Sequence, residues 1–157
     1  MQLRDRLAVL RQRFGSGDDD APWDALDTLA DEMDREGRGR DEPRRAIFAL
    51  LGDRWSMLLL LVLETGRWRH ATLKRVVGAL SIEGAISQRI LTLKLRHLER
   101  YGLIVRTSVG EAPKQVDYTL SPLGRDLMAE VSGTASWISR QRDALAAAQA
   151  NFDRQDP

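Results

Sequence analysis

At 157 residues the chain suits one domain with an additional arm, and its 43% apolar content is enough for a hydrophobic core. The absence of cysteine excludes a disulfide framework, a thiol nucleophile, cysteine-ligated zinc and thiol redox sensing, and it fits a reducing compartment. The net charge of +1 hides a partition: residues 1–43 carry 7 basic and 12 acidic side chains, residues 44–106 carry 12 and 4, and residues 107–157 carry 5 and 7. A basic block inside a nearly neutral chain points to a polyanionic partner, and by charge alone a solvated basic surface is an equal reading.

The first stretch, MQLRDRLAVLRQRF, places Leu3, Leu7, Leu10 and Phe14 at helical spacing. It lacks the apolar centre and small-residue cleavage site of a secretory signal. Gly15 to Pro22 reads as a linker or turn whose aspartates cap the next helix. That helix spans about Pro22 to Glu36, with Trp23, Leu26, Leu29 and Met33 on one face, and GRGRDE breaks it. Pro43 opens a helix whose buried side is Ile47, Leu50 and Leu51. Asp53 then caps RWSMLLLLVLETG, where Met57 to Leu63 is apolar all round and should run through the core. This run is far shorter than the ~20 residues that cross a bilayer, so a soluble cytoplasmic protein with no membrane partner is expected.

Further along, GRWRH (Gly66 to His70) suits a short strand, with Trp68 packing and Arg67 and Arg69 near an anionic backbone. A helix over Ala71 to Ala79 and the connector LSIEGAI lead to Ser87, the cap of SQRILTLKLRHLERYGLI. In that segment Leu91, Leu95 and Leu98 form the buried side, and Arg89, Arg96 and Arg100 form a stripe flanked by Gln88 and Thr92. Gly102 stops the helix. LIVRTSV and QVDYTL flank GEAPK as a β-hairpin, and Ser121-Pro122 starts a long last helix over 122–149. Leu123, Leu127, Val131, Ile138, Leu145 and Phe152 give this C-terminal region an apolar stripe, with Trp137 beside it. Compact helices followed by a hairpin predict a mainly α protein of winged helix-turn-helix type, with a helical N-terminal extension and a long C-terminal dimerisation helix. In this arrangement the second helix of the turn motif enters the DNA major groove.

Three stretches, LLGDRWSMLLLLVL, ISQRILTLKLRHLERYGLIVRT and APKQVDYTLSPLGRDL, occur in an order that resembles the HxlR family, a branch of the MarR-like winged-helix regulators of bacteria. The resemblance runs from Glu42 to about Trp137. It implies a homodimeric transcription regulator whose terminal helices form the dimer and whose sites are inverted repeats. The sequence departs from the family in three places. Glu42 stands where many members carry a cysteine, which excludes a thiol switch there. GALSIEGAI is longer than the usual connector between the two turn-motif helices, and residues 1–41 have no counterpart. The expected organisation is an extension over 1–41, a DNA-binding domain over 42–121, and a dimerisation helix and tail over 122–157.

The candidate DNA contacts follow from that arrangement. Ser87 caps the recognition helix and is placed to touch a phosphate. Gln88 and Arg89 lie in its first turn, the part that reaches base edges, and arginine and glutamine bond guanine and adenine respectively with two hydrogen bonds each. Thr92 and Arg96 continue the face, Arg96 towards the backbone. Arg100 either reaches DNA or pairs with an acid, and Leu93 contacts a thymine methyl or packs on the connector. Lys74 and Arg75 on the preceding helix, Arg69 before it, Arg106 at the base of the wing and Lys114 at its tip are the phosphate candidates. For each the alternative is a solvated face. The candidate dimer residues are Leu3, Leu7, Trp23, Leu26, Leu29, Val131, Trp137, Ile138 and Leu145. Trp55 and Tyr118 read as core, and His70 and His97 as isolated histidines rather than metal ligands.

No phosphate-cradling glycine loop, nucleophile elbow or metalloprotease helix is present. The sequence therefore predicts no enzyme and no cofactor. The partners expected are double-stranded DNA, a second copy of the chain, and a small-molecule effector of unspecified chemistry. The competing reading is a winged-helix protein–protein module whose basic face binds an acidic partner.

Overall fold

The computed structural model describes residues 2–14, 21–37, 42–110 and 115–155. Parts of the expected linkers at Gly15 to Pro22 and GRGRDE, and the wing tip with Glu111 and Lys114, lie outside the described residues. The chain forms two compact units, residues 1–50 and 51–157.

In the first unit, α1 (Leu3–Phe14) and α2 (Ala21–Glu36) pack against each other and α3 covers Pro43–Gly52. The pairs Arg4–Asp31 and Arg11–Asp24, with Asp34 accepting from the Leu3 amide, show that α1 and α2 run antiparallel. Among the described side chains of these two helices only Ala30 is buried, so their hydrophobic contribution is thin. The two surface ion pairs add at most about 1 kcal/mol each. Glu42 caps α3 by accepting from the amides of Arg44 and Arg45 at 2.8 and 2.9 Å. Those two hydrogen bonds hold its carboxyl below the usual carboxylate range. Leu50 is buried, Ile47 is half-buried, and Phe48 is exposed.

The second unit is organised around α4 (Arg54–Glu64), which touches α5 (His70–Leu80), α6 (Gln88–Arg100), α7 (Pro122–Arg140) and the sheet. Its all-round apolar sequence is the cause: Leu59, Leu60, Val62 and Leu63 are buried on several sides at once, and Leu61 alone among them is exposed. Strands β1 (Trp68–Arg69), β2 (Ile104–Val109) and β3 (Gln115–Leu120) form an antiparallel sheet in the order β1-β3-β2. Trp68 pairs with Tyr118, and Arg106 faces Tyr118 from the other side. The Trp68 indole also donates to the Val62 carbonyl at 3.0 Å and so satisfies the free end of α4. Tyr118 is buried as expected, whereas Trp55 is half-buried beneath the Arg54 guanidinium, 5.4 Å from its ring centre.

The helix expected over 122–149 is two helices, α7 and α8 (Arg142–Gln155), interrupted at Gln141. The Gln141 amide shares itself between the Trp137 and Ile138 carbonyls, the tightening common at helix ends. The Gln141 carbonyl nevertheless accepts from Leu145 at 2.9 Å, so the chain resumes as a helix within one residue.

The N-terminus of α7 docks on the start of β2. Gly102, at φ +68°, turns the chain out of α6 in a conformation side chains rarely adopt. Ser121 then caps α7, its hydroxyl accepting from the Gly124 amide at 2.9 Å and its own amide donating to the Leu103 carbonyl at 3.0 Å. A Cβ on Gly124 would stand 2.0 Å from that carbonyl oxygen. Gly124→Ala should therefore lower the unfolding free energy by about 1–3 kcal/mol or more, read as a lower urea midpoint. An unchanged midpoint would mean that this close approach does not hold in solution.

Candidate nucleic-acid interface

Ser87, with extended φ and ψ, accepts from the Ile90 amide through its hydroxyl and starts α6. Helical spacing then divides the side chains. Leu91, Leu95 and Leu98 are buried, and Arg89, Leu93, Arg96 and Arg100 project from the opposite side. Leu93 is 45% exposed, so it does not pack under the connector. Gln88 is exposed and Thr92 half-buried on the flank facing the sheet. Arg100 lies over the Tyr101 ring at 5.8 Å.

The connector between α5 and α6 is anchored at two points. Ile86 is buried, and Glu83 pairs with Arg54 at the start of α4. The burial carries the larger share, about 1.5–3 kcal/mol for a fully buried isoleucine against at most about 1 kcal/mol for an exposed pair.

A groove of about 850 Å³ opens between α6 and the sheet. It brings together Arg69, Gln88, Thr92, Arg96 and Arg106, all expected DNA contacts, with Gln115 and Val116 from the wing and, among the described residues, a single acid, Glu99. A second cleft of about 540 Å³ lies between the helices of the turn motif and gathers Lys74, Arg75 and Gln88. Ser87 and Arg89 line neither concavity and sit on the outer edge at the tip of α6. Lys114 lies outside the described residues. Among the described residues no cluster of histidine and acid side chains has the geometry of a metal site.

Two residues without an assigned DNA role in the sequence meet partners from other elements here. His70 lines both concavities and stands 3.4 Å from Gln88, nitrogen to nitrogen. Its burial, and then the positive charges of Lys74 and Arg106, hold the ring below the ordinary histidine pKa. Its position directly after Arg69, at the end of the GRWRH stretch, was the available sign. Lys94, on the half-buried edge of α6, reaches Asp53 at 2.7 Å, 41 positions away in sequence. No local pattern announces such a pair. Asp53 thus serves twice: it caps α4 through the Ser56 amide at 2.8 Å and hydroxyl at 2.7 Å, and it tethers α6.

The candidate dimer residues fall into two groups. Leu3, Leu7 and Trp23 are half-buried, while Leu26 and Leu29 are exposed. Leu3 and Leu29 line a groove of about 540 Å³ within the first unit, with Met33 and Phe48. On α7 and α8, Val131 is half-buried, whereas Trp137 (51% exposed), Ile138 (49%), Leu145 (42%) and Phe152 (66%) stand open. Every described side chain from Ser132 to Arg154 is exposed.

The family model for HxlR-like helix-turn-helix proteins matches residues 50–145. Over 96 residues the chain is 31% identical to YtfH of Escherichia coli K12, an HTH-type transcriptional regulator, covering 61% of this chain and 71% of that protein. Among solved structures, the putative transcriptional regulator ytfH from Salmonella typhimurium superposes with a TM-score of 0.55 at 30% identity, covering 69% of this chain and 91% of the other. The redox regulator HypR in its reduced form gives 0.55 at 30% identity, covering 67% and 98%. These relatives are transcriptional regulators rather than enzymes, and no single helix among the described residues is long and apolar enough to cross a membrane.

The Asp53 junction has a measurable signature. Burial works to raise its carboxyl pKa, but the Lys94 ammonium and the Ser56 hydroxyl and amide outweigh burial and hold it below the usual value. A carboxylate with a lowered folded pKa stabilises the fold above its unfolded pKa, and this contribution is lost as pH falls through the folded value. Asp53→Ala should cost about 1–3 kcal/mol near neutrality. In urea titrations across an acid pH series, the gap to the wild-type protein should close below the carboxylate range. A gap that stays constant with pH would exclude the charged tether.

Proposed function

The chain belongs to the HxlR-like helix-turn-helix family of transcriptional regulators, and from that premise we propose that it is a sequence-specific DNA-binding regulator acting as a homodimer on inverted repeats. The observation that carries the proposal is the division of α6: three leucines buried on one side, and Gln88, Arg89 and Arg96 exposed beside a groove rimmed by Arg69 and Arg106. A helix held in this way delivers its first turn to base edges in the major groove. Gln88 and Arg89 read bases, Arg96 meets the backbone, and Ser87, Lys74, Arg75, Arg69 and Arg106 contact phosphates. Lys114 extends the phosphate contacts from the wing tip. Working on DNA, the protein acts in the cytoplasm.

The dimer reading rests on α7 and α8. Isolated helices of this length are marginal in water unless an apolar face is covered. Trp137, Ile138, Leu145 and Phe152 have no cover in the described chain, and a second copy supplies it. Leu3, Leu7, Trp23, Leu26 and Leu29 either extend that interface or cover the core. In this scheme residues 1–41 are an extension, 42–121 bind DNA and 122–157 dimerise. Two recognition helices about 34 Å apart then read the halves of an inverted repeat. Unlike a regulator switched by thiol chemistry, this protein has no cysteine, so control by thiol oxidation is not part of the proposal.

Three substitutions test these assignments in salt-titrated binding to selected and random duplexes. Arg89→Ala should cost about 1–3 kcal/mol on the selected site and blunt base preference. Lys74→Ala should weaken all duplexes alike and reduce the salt slope by about 1. If both changes affected specific and random DNA equally, the roles given to them would be wrong. Trp137→Asp should shift the protein towards monomer in analytical ultracentrifugation and abolish preference for paired half-sites. An unchanged dimer would place the interface elsewhere.

A further inference from the structure

We infer that His70 is a positioning residue, which holds the Gln88 side-chain amide in the one orientation that reads adenine and makes this preference depend on the protonation of the ring. The inference rests on the DNA-binding reading above and deepens it. Two nitrogens meet at 3.4 Å, Nε2 of Gln88 and Nε2 of His70. An amide nitrogen only donates, so the ring nitrogen must accept, which requires a neutral imidazole with its proton on Nδ1. Gln88 then has a second N–H and its Oε1 unused. Those are the two groups that bond N7 and the N6 amino group of adenine. One amide thus serves the ring and the base together.

Protonation removes the acceptor. The charged ring has N–H on both nitrogens, so the Gln88 amide must rotate to bring Oε1 towards it. This rotation exchanges the places of donor and acceptor on the amide edge that faces the base, so Oε1 meets N7 and an N–H meets the N6 amino group, and the two-bond pattern of adenine is no longer met.

The surroundings favour the neutral ring. His70 is the first residue of α5, where the helix dipole disfavours a cation. Lys74 on its own helix and Arg106 from β2 oppose a further positive charge. Arg69 from β1 and Arg96 from α6 line the same groove, Arg75 from α5 lines the adjoining cleft with His70, and Glu99 from α6 is the one acid among the described lining residues. Tyr118 from β3 fixes the ring by a tilted contact, with centroids 6.0 Å apart at 51°.

The test is selection from a random duplex pool at about pH 7.5 and about pH 5, the lower value set well under the ordinary imidazole range because the ring's pKa is lowered. The wild-type protein and the variants Gln88→Ala, His70→Phe and His70→Gln are compared, with random-duplex affinity and thermal melting of each variant as controls for folding. At the higher pH the wild-type protein should select adenine at one position per half-site, and Gln88→Ala should erase that position. His70→Phe keeps a ring against Tyr118 but has no acceptor, so it should lose about tenfold of the adenine preference at both pH values while positions read by Arg89 persist. The wild-type protein should lose the same preference only at the lower pH. His70→Gln supplies a non-titrating amide oxygen and should retain the preference at both. A His70→Phe protein that still selects adenine where Gln88→Ala does not, or a wild-type preference insensitive to pH, overturns the inference alone. A wild-type protein that selects no sequence overturns the regulator reading and this inference with it.

Discussion

The burial of Leu91, Leu95 and Leu98 decides which way the guanidinium groups of α6 face. Each fully buried leucine is worth about 1.5–3 kcal/mol, more than any exposed ion pair in the molecule supplies. Rotating α6 by one residue would expose these leucines and bury arginines, so the helix has a single acceptable angle about its axis. The outward placement of Arg89, Leu93 and Arg96 is a consequence of this inner face, and it holds with no DNA present. The proposed reading of bases therefore starts from a preorganised surface rather than from one assembled on contact.

Angle about the axis is not the same as position along it. Hydrophobic contacts are non-directional, so they tolerate some sliding. The directional groups remove that freedom. Asp53 joins the cap of α4 to Lys94 on α6. At the far end of α6, Gly102 and the Ser121 cap bind the turn into β2 to the start of α7. The Asp53 link lies at the start of α4, which touches α5, α6, α7 and β3 and carries more buried apolar residues than any other helix among the described residues. Positioning of the basic groove and anchoring of α7 thus share one support.

The charge pattern fits this division of labour. Acidic residues are concentrated in the first unit, where several pair with arginines of the same unit. The groove of the second unit gathers Arg69, Arg96 and Arg106 with one acid, Glu99, among the described residues. A concave wall of one sign focuses the field and draws a polyanion towards it. Outside that groove, α7 and α8 present a different character, with the exposed apolar side chains Trp137, Ile138, Leu145 and Phe152.

Much of this was written locally in the sequence. Helical periodicity located the buried leucines of α6, and the caps Asp53, Ser87 and Ser121 fell where their hydroxyls and carboxylate accept from free amides. The strand alternation of Val116, Tyr118 and Leu120 and the stop at Gly102 were equally local signals, because they depend on residues a few positions apart. The sequence did not reveal the Asp53–Lys94 pair or the meeting of His70 with Gln88, since these partners are brought together only when α4, α5 and α6 pack. Nor did it locate the break at Gln141, where the apolar stripe runs on without interruption while the backbone leaves helical geometry for one residue. Local chemistry determined which elements form and which face of each is polar. Tertiary packing decided which polar groups meet across them, because a contact between distant residues has no period to read.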